Sequence, residues 1–232
     1  ASRVPRSKVL RVVSLNCAVG SVAAAREAAS YRPDVVLLQE SPSRRDVEAL
    51  GQSLYGKRAC VAWSADTSVV VGGTIVELGS NHKMPACANA LRVRLKGKEV
   101  LLMSVRLRPP QFGADYSASG YCRGQAAARR THRRELSEVA LWLERQGRIP
   151  TVIGGDFNAP GWDGAMSELP NVMHDPFREA GIGCGNTVLN DLPVLRFDQI
   201  WVSREFRGIK VRACRTQNSD HRLVVCDLQL TH

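Results

Sequence analysis

Seven polar residues stand where apolar runs of this chain stop. Asn16 closes Leu10–Leu15, Glu40 closes Val35–Gln39, and Asp156 and Asn158 follow Val152-Ile153-Gly154-Gly155. Asp198 sits within Arg196-Phe197-Asp198-Gln199-Ile200, and Asp220 and His221 come just before the run that begins at Leu223. Taken singly, each has an ordinary explanation. Asn16 and the Asp220-His221 pair suit turns, Glu40 ahead of Pro42 suits a solvated strand end, and Asp198 suits a nearby Arg. Gathered at one edge of a layered sheet they would line a cleft with three or four carboxylates, two carboxamides and one imidazole. Burying carboxylates together is costly unless a cation sits among them. Hard oxygen donors with few His or Cys point to Mg²⁺, with Mn²⁺ as the alternative, rather than to zinc. Mg²⁺ keeps most of its waters and takes one or two carboxylates, so Glu40 suffices as principal ligand.

The elements that must position these residues are short. β-Branched runs bounded by turn residues predict strands over Val9–Asn16, Asp34–Gln39, Arg58–Trp63, Ser68–Thr74, Ala90–Leu95, Val100–Leu107, Thr151–Gly155, Arg196–Val202, Ile209–Cys214 and Leu223–Leu230. Helices are expected over Val22–Ser30, Arg44–Leu54, Gln125–Gln146 and Pro176–Ala180. Ser43 precedes the second with Asp46 three residues on, Gly147 ends the third, and Asp175 caps the fourth. The order is not pure βαβ alternation. It fits an α/β (α+β) four-layer α-β-β-α sandwich, two mixed sheets packed face to face with helices outside both.

Bulk properties narrow the reading. The chain has 232 residues, 44 % hydrophobic and 23 % charged, with a net charge of +10. That suits one domain over 9–232 behind a basic tail at 1–8, with no repeat, no long linker, and a monomer expected. The positive charge favours polyanions: nucleic acid, an anionic membrane or phosphorylated substrates. Seven cysteines form no Cys-x-x-Cys and no zinc-finger spacing, and Cys17, Cys60, Cys214 and Cys226 lie in strand-like runs where buried free thiols are expected. No apolar run approaches the ~18 residues of a membrane span. The compartment is left open, and so is a targeting segment ahead of Ala1.

The order of the segments carries a resemblance. LNC (15–17), LLQE (37–40), GGDFN (154–158), RFDQI (196–200) and SDHRLVV (219–225) resemble the segments of the endonuclease/exonuclease/phosphatase superfamily, with its DNase I-like and exonuclease III-like fold. The resemblance runs from about Val9 to Leu230. It implies that Glu40 binds the metal, that Asn16 helps to position the ion or its water, and that Asp220 is a second metal contact. It also implies that Asp156 holds or deprotonates the attacking water and that Asn158 donates to the scissile phosphate. His221 touches the phosphate or shares in proton transfer, with Asp198 fixing its tautomer. In an extended chain Asp156 and Asn158 point the same way while Phe157 points into the core, and the glycines before them allow a sharp turn. Many members have Thr-His-Leu where this chain has Val105-Arg106-Leu107. Arginine is no general acid at neutral pH, so Arg106 either clamps a phosphate or faces away. Abasic-site endonucleases have an acidic residue where this chain has Ala18, which argues against that role.

Arg123, Arg129, Arg130, His132, Arg133 and Arg134 crowd the start of the long helix, with Tyr116 and Tyr121 just upstream. The cluster reads equally as a solvated helix face or as a track for a nucleic-acid backbone, with the two tyrosines as substrate contacts. The expected activity is therefore a metal-dependent phosphodiesterase acting on nucleic acid, DNA favoured over RNA, most simply an endonuclease. A phosphoesterase for a phosphoinositide or phospholipid head group is the alternative, and it calls for exposed apolar loops beside the cleft. Only Pro109-Pro110-Gln111-Phe112 and Pro160-Gly161-Trp162 offer themselves. A nucleic-acid-binding module without turnover is the third reading, and the full set of polar residues argues against it.

Overall fold

The structure, a computed structural model, describes residue 5 and residues 8–76, 83–110 and 118–231. Thirteen strands and four α-helices follow in order among them: β1 (Val9–Asn16), α1 (Val22–Ala29), β2 (Val35–Gln39), α2 (Arg44–Tyr55), β3 (Ala59–Trp63), β4 (Thr67–Gly72), β5 (Thr74–Val76), β6 (Ala88–Leu95), β7 (Lys98–Arg106), α3 (Ala118–Arg145), β8 (Thr151–Asp156), β9 (Met173–His174), α4 (Phe177–Ala180), β10 (Gly181–Ile182), β11 (Asp198–Ser203), β12 (Phe206–Cys214) and β13 (Leu223–Leu230). One sheet runs β10-β12-β13-β1-β2-β4-β3, the other β5-β6-β7-β8-β11-β9.

Period-two alternation builds the layers. Val12, Leu37 and Val69 of the first sheet meet Val93, Leu102, Val152 and Ile200 of the second, which makes the inter-sheet core. The intervening residues Val13, Leu15, Val36 and Leu38 face outward under Ala24 and Ala28 of α1 and Val47 and Leu50 of α2. On the far side Leu136, Val139, Trp142 and Leu143 of α3 cover Leu101, Met103, Val105 and Ile153. The helix–sheet–sheet–helix sandwich expected from the sequence is the architecture observed. All seven cysteines are free.

Some boundaries differ. The expected strand Ser68–Thr74 is two strands, because the chain leaves the first sheet at Gly72-Gly73 and Thr74–Val76 pairs with β6 in the second. Helix α3 starts at Ala118 rather than Gln125. Strands β9 and β10 have two residues each, too short to carry a periodic signal. The tail at 1–8 lies outside the described residues except for Pro5 and Lys8.

Register gathers the polar strand ends. β1 and β2 are parallel with Asn16 opposite Gln39, which brings Glu40 beside Asn16. β13 is antiparallel to β1, so Asp220 and His221, just before it, lie at that same end. In the second sheet Asp156 is opposite Asp198 on one side and Arg106 on the other.

Candidate functional site

Asn16 joins the two sheets at the cleft floor. Only 1 % exposed, it donates from Nδ2 to Glu40 Oε1 at 3.2 Å and to Asp156 Oδ2 at 3.1 Å, while its Oδ1 accepts the Ala18 N–H. Its oxygen is thus spent on the backbone, and its amide nitrogen positions two carboxylates. Beneath it, buried Gln39 donates to Ser104 Oγ at 3.0 Å, and Ser104 Oγ donates to Leu38 O, a polar tie between the sheets.

Glu40 has φ 46°, a left-handed conformation that costs a non-glycine residue about 1–2 kcal/mol. Backbone bonds from Glu40 N to Asp66 O and from Ser41 N to Ala65 O hold it there. Its carboxylate accepts from Val19 N at 2.7 Å, from Asn16 and from Arg106 Nη2 at 2.8 Å. Burial resists its ionisation, yet those three donors outweigh burial and hold its pKa below the ordinary glutamate value. Arg106 also reaches Asp66 at 3.3 Å. Arg106 does not face away from the site: its guanidinium turns to Glu40 and Asp66.

Asp156 is 2 % exposed. It accepts from Asn158 N on Oδ1 at 3.0 Å, and from Asn158 Nδ2 and Asn16 Nδ2 on Oδ2. Burial and the charge of Asp198 push its pKa up to about 6, against the pull of His221 and these donors. The extended-chain picture of GGDFN is corrected here. Asn158 has φ 47°, so the chain folds back and the Asn158 amide braces Asp156 while also donating to Leu107 O at 2.8 Å. Both amide hydrogens of Asn158 thus have protein acceptors, where the resemblance gave them to a phosphate. Phe157 does anchor the pair, fully buried against the α3 side of the second sheet. The glycines make no turn. Both lie inside β8, where a Cβ at Gly155 would stand 1.8 Å from Val105 O and one at Gly154 would stand 2.6 Å from Leu37 Cδ1. Close approach of neighbouring chain, not a turn, explains them.

His221 Nδ1 lies 2.8 Å from Asp198 Oδ2, in a pair whose side chains are 13 % and 0 % exposed. Burial opposes the imidazolium, but Asp198, then Asp156 and Asp220, outweigh it and raise the His221 pKa to about 9. Ligand atoms of Asp156, Asp198 and His221 lie within 4.8 Å of one another, close enough to converge on a cation. With His221 protonated, the cluster's own positive charge is that proton.

Two positioning residues escaped the sequence reading. Thr187, fully buried, accepts from Asp198 N at 3.0 Å and Phe197 N at 3.2 Å through its hydroxyl. Ser219 accepts from His221 N at 3.0 Å and donates to Asn16 O at 2.7 Å, which ties the histidine to the Asn16 side. Neither follows an apolar run, and Ser219 was legible only as part of SDH.

Asp220 is exposed and joins none of these side-chain bonds; its carbonyl accepts from Asn190 N. It borders an open cavity of about 880 Å³ with Leu189, Asn190, Leu192, Arg215 and Ser219. Arg123, Arg129 and Arg130 are exposed on α3, and Arg129 pairs with Asp163 at 3.2 Å in the segment after Asn158. His132 leaves the basic cluster. It is 2 % exposed, with Nε2 2.8 Å from Arg108 O. Tyr116 and the side chain of Tyr121 lie outside the described residues. No helix among the described residues is long and apolar enough to cross a membrane.

A four-layer sandwich with a carboxylate–histidine cluster at the strand ends defines a class of hydrolytic scaffold, and comparison gives the family. The profile of the Endonuclease/Exonuclease/phosphatase family matches residues 13–221, and the chain belongs to that family. It is accordingly a hydrolase of phosphoester bonds. Among solved structures it is similar to an endonuclease/exonuclease/phosphatase family protein from Bacteroides thetaiotaomicron, with 15 % identity, TM-score 0.71 and coverage of 97 % of this chain and 98 % of that one. It is also similar to a humanized D. rerio TDP2, with 18 % identity, TM-score 0.67 and coverage of 96 % and 99 %. A third is the B. thetaiotaomicron mannosyl-6-phosphatase Bt3783, with 15 % identity, TM-score 0.65 and coverage of 94 % and 99 %. No curated protein matches the chain in sequence.

Proposed function

We propose that this protein is a divalent-metal-dependent phosphodiesterase acting on nucleic acid, with DNA as the first substrate to test. The observation that carries the hydrolytic part is geometric: ligand atoms of Asp156, Asp198 and His221 lie within 4.8 Å of one another in one buried cluster, with His221 Nδ1 2.8 Å from Asp198 Oδ2. Burial beside Asp198 raises the pKa of Asp156, while, against burial, the carboxylates raise that of His221. At neutral pH Asp156 is mostly a base and His221 an acid, which is the complement that ester hydrolysis needs. Water attacks phosphorus and passes its proton to Asp156 as the new P–O bond forms. The ester P–O bond breaks, and the leaving oxygen takes the proton at His221 Nε2. Asp198 holds the Nδ1 side of the ring throughout. Exchange with solvent restores both groups.

Glu40 fits a hard cation. Its carboxylate is held ionised and already has a cation, the Arg106 guanidinium, against Oε1. Glu40 would hold Mg²⁺ or Mn²⁺, with Asp220 within the same strand-end group, and Asn16 would orient Glu40. The ion would supply positive charge against the non-bridging phosphate oxygens. The preference for nucleic acid rests on the net charge of +10 and on the arginines of α3 beside the segment that follows Asn158. A lipid-borne phosphoester is the second reading, favoured by the exposure of Trp162, Leu189 and Leu192 on loops next to the site.

The test is hydrolysis of plasmid and of oligonucleotides with Mg²⁺ and with EDTA, alongside Asp156→Ala and His221→Ala proteins. Metal-dependent cutting that both variants lose is the expected result. Hydrolysis of a small diester such as bis(p-nitrophenyl) phosphate with no attack on any nucleic acid would remove the substrate and keep the chemistry.

A further inference from the structure

The loops that carry the site also carry apolar side chains into solvent. Val19, whose N–H holds Glu40, is 94 % exposed. Trp162, four residues past Asn158, is 74 % exposed. Leu189 and Leu192 are 55 % and 73 % exposed and line the cavity of about 880 Å³ that Ser219 and Asp220 also border. The segment of Leu189 and Leu192 is fastened to the site by the Val188–His221 bridge and by Asn190, whose side chain bonds Thr216 N and O. The Trp162 segment lies against Arg196, since a Cβ at Gly161 would stand 2.5 Å from Arg196 Nη2. The first segment is thereby tied to His221, and the second packs against Arg196 and Gln199, which flank Asp198 in the chain.

A duplex gains little from such a rim. Its backbone offers phosphate and sugar to a cleft and keeps the faces of its bases stacked. An unpaired strand offers those faces, and one exposed tryptophan on the segment that follows Asn158 provides a stacking surface for one base. A lipid surface fits less well. Asp191, paired with Arg215 and with its side chain 76 % exposed, sits between Leu189 and Leu192 on the same tip, so sinking that tip into acyl chains would bury an ion pair.

Resting on the nucleic-acid reading above, we propose that the substrate is single-stranded, with Trp162 stacking on an unpaired base next to the scissile phosphate and the Leu189–Leu192 cavity taking a neighbouring nucleotide. The cavity has the size of a small-ligand pocket, ample for one nucleotide. The arginines of α3 carry the phosphates that lead away from the site.

The experiment compares one oligonucleotide as a single strand and as a blunt duplex, using wild type, Trp162→Ala and Leu192→Asp. Hydrolysis of bis(p-nitrophenyl) phosphate serves as the control. The expected result is preference for the single strand and a KM for it raised about tenfold or more in Trp162→Ala, the scale of one lost base stack. Hydrolysis of the small diester should be unchanged in both variants. With EDTA present, the single strand should quench tryptophan emission in wild type and not in Trp162→Ala. Equal cutting of duplex and single strand, or a Trp162→Ala protein with unchanged KM and quenching, overturns the inference and leaves the nuclease reading standing. Attack on no nucleic acid overturns both. Cleavage of anionic phospholipid vesicles, with a blue shift from Trp162, transfers the rim to a lipid surface.

Discussion

Glu40 and Asp156 are both carboxylates at strand ends, and both accept from the same Asn16 amide, yet they are held in opposite electrical conditions. Glu40 has a guanidinium as its neighbour and an exposure of 23 %, and its pKa lies below the ordinary value. Asp156 is enclosed, has Asp198 as its neighbour, and is lifted to about 6. The difference comes from what stands beyond Asn16: the Val19 N–H, then Arg106, and solvent on one side, a second carboxylate and a shared imidazolium on the other. One half is suited to hold a cation that can be exchanged. The other is suited to hold a proton that can be moved.

The largest test of this division is kinetic. His221→Ala and Asp156→Ala should each lose about a hundredfold or more in kcat on bis(p-nitrophenyl) phosphate, and added Mg²⁺ should restore neither. Glu40→Gln should instead shift the Mg²⁺ dependence, with activity partly recovered at high metal. A His221→Ala protein that recovers with metal would erase the boundary between the halves.

The same division predicts opposite pH slopes in the stability of the protein in EDTA. Asp156, raised from 3.8 to about 6, contributes favourably below its unfolded value and loses that contribution as pH rises through 6. His221, raised from 6.5 to about 9, stabilises fully below 6.5 and ceases to do so as pH rises through 9. Glu40, lowered from 4.5, stabilises above that value and loses its contribution as pH falls through its folded value. Thermal melts should therefore show wild type losing its advantage over His221→Gln between about pH 6.5 and 9. Its advantage over Glu40→Gln should shrink only on the acid side. Asp156→Asn should be inactive, and its stability relative to wild type should rise as pH rises through about 6.

Both halves were partly legible in the sequence, and the reasons for success and failure are physical. A polar residue that ends an apolar run is conspicuous, so Asn16, Glu40 and Asp156 could be placed at one sheet edge from the chain alone. Their partners could not. Asn158 in a left-handed conformation, and glycines required by the approach of Val105 O and Leu37, are consequences of tertiary packing that no local pattern reports. Thr187 acts through the backbone N–H groups of Phe197 and Asp198, beside the bridge at Val188, and Ser219 donates to the Asn16 carbonyl 203 residues away, contacts equally hidden from any local pattern. The exposed rim was underestimated because only Pro109–Phe112 and Pro160–Trp162 offered themselves in the sequence, whereas the fold also turns Leu189 and Leu192 outward.

Arg106 sharpens the comparison at smaller scale. Its guanidinium occupies Glu40 Oε1, so a divalent ion has to compete with it. Arg106→Met should tighten Mg²⁺ binding by a few-fold in calorimetry, since the pair is partly solvated and worth roughly 1 kcal/mol or less. The variant should also melt slightly earlier in EDTA and gain more from added Mg²⁺ than wild type does. Weaker metal binding in Arg106→Met would mean that the arginine supports the ion's site rather than contesting it.

Thr187→Val makes the finest cut, because it touches only the proton-holding half and leaves its charges in place. The substitution keeps the side-chain shape and removes the oxygen that accepts from Asp198 N and Phe197 N. The buried Asp198 N–H and the part-buried Phe197 N–H then lose their partner, which should cost about 1–3 kcal/mol in a denaturant titration. Asp198 keeps its strand pairing opposite Asp156, so its carboxylate stays near His221. Activity should accordingly fall only a few-fold, through kcat, with KM and the Mg²⁺ dependence unmoved. A shifted Mg²⁺ dependence in Thr187→Val would show that the two halves communicate, and Ser219, which bonds both His221 N and Asn16 O, would be the link to examine.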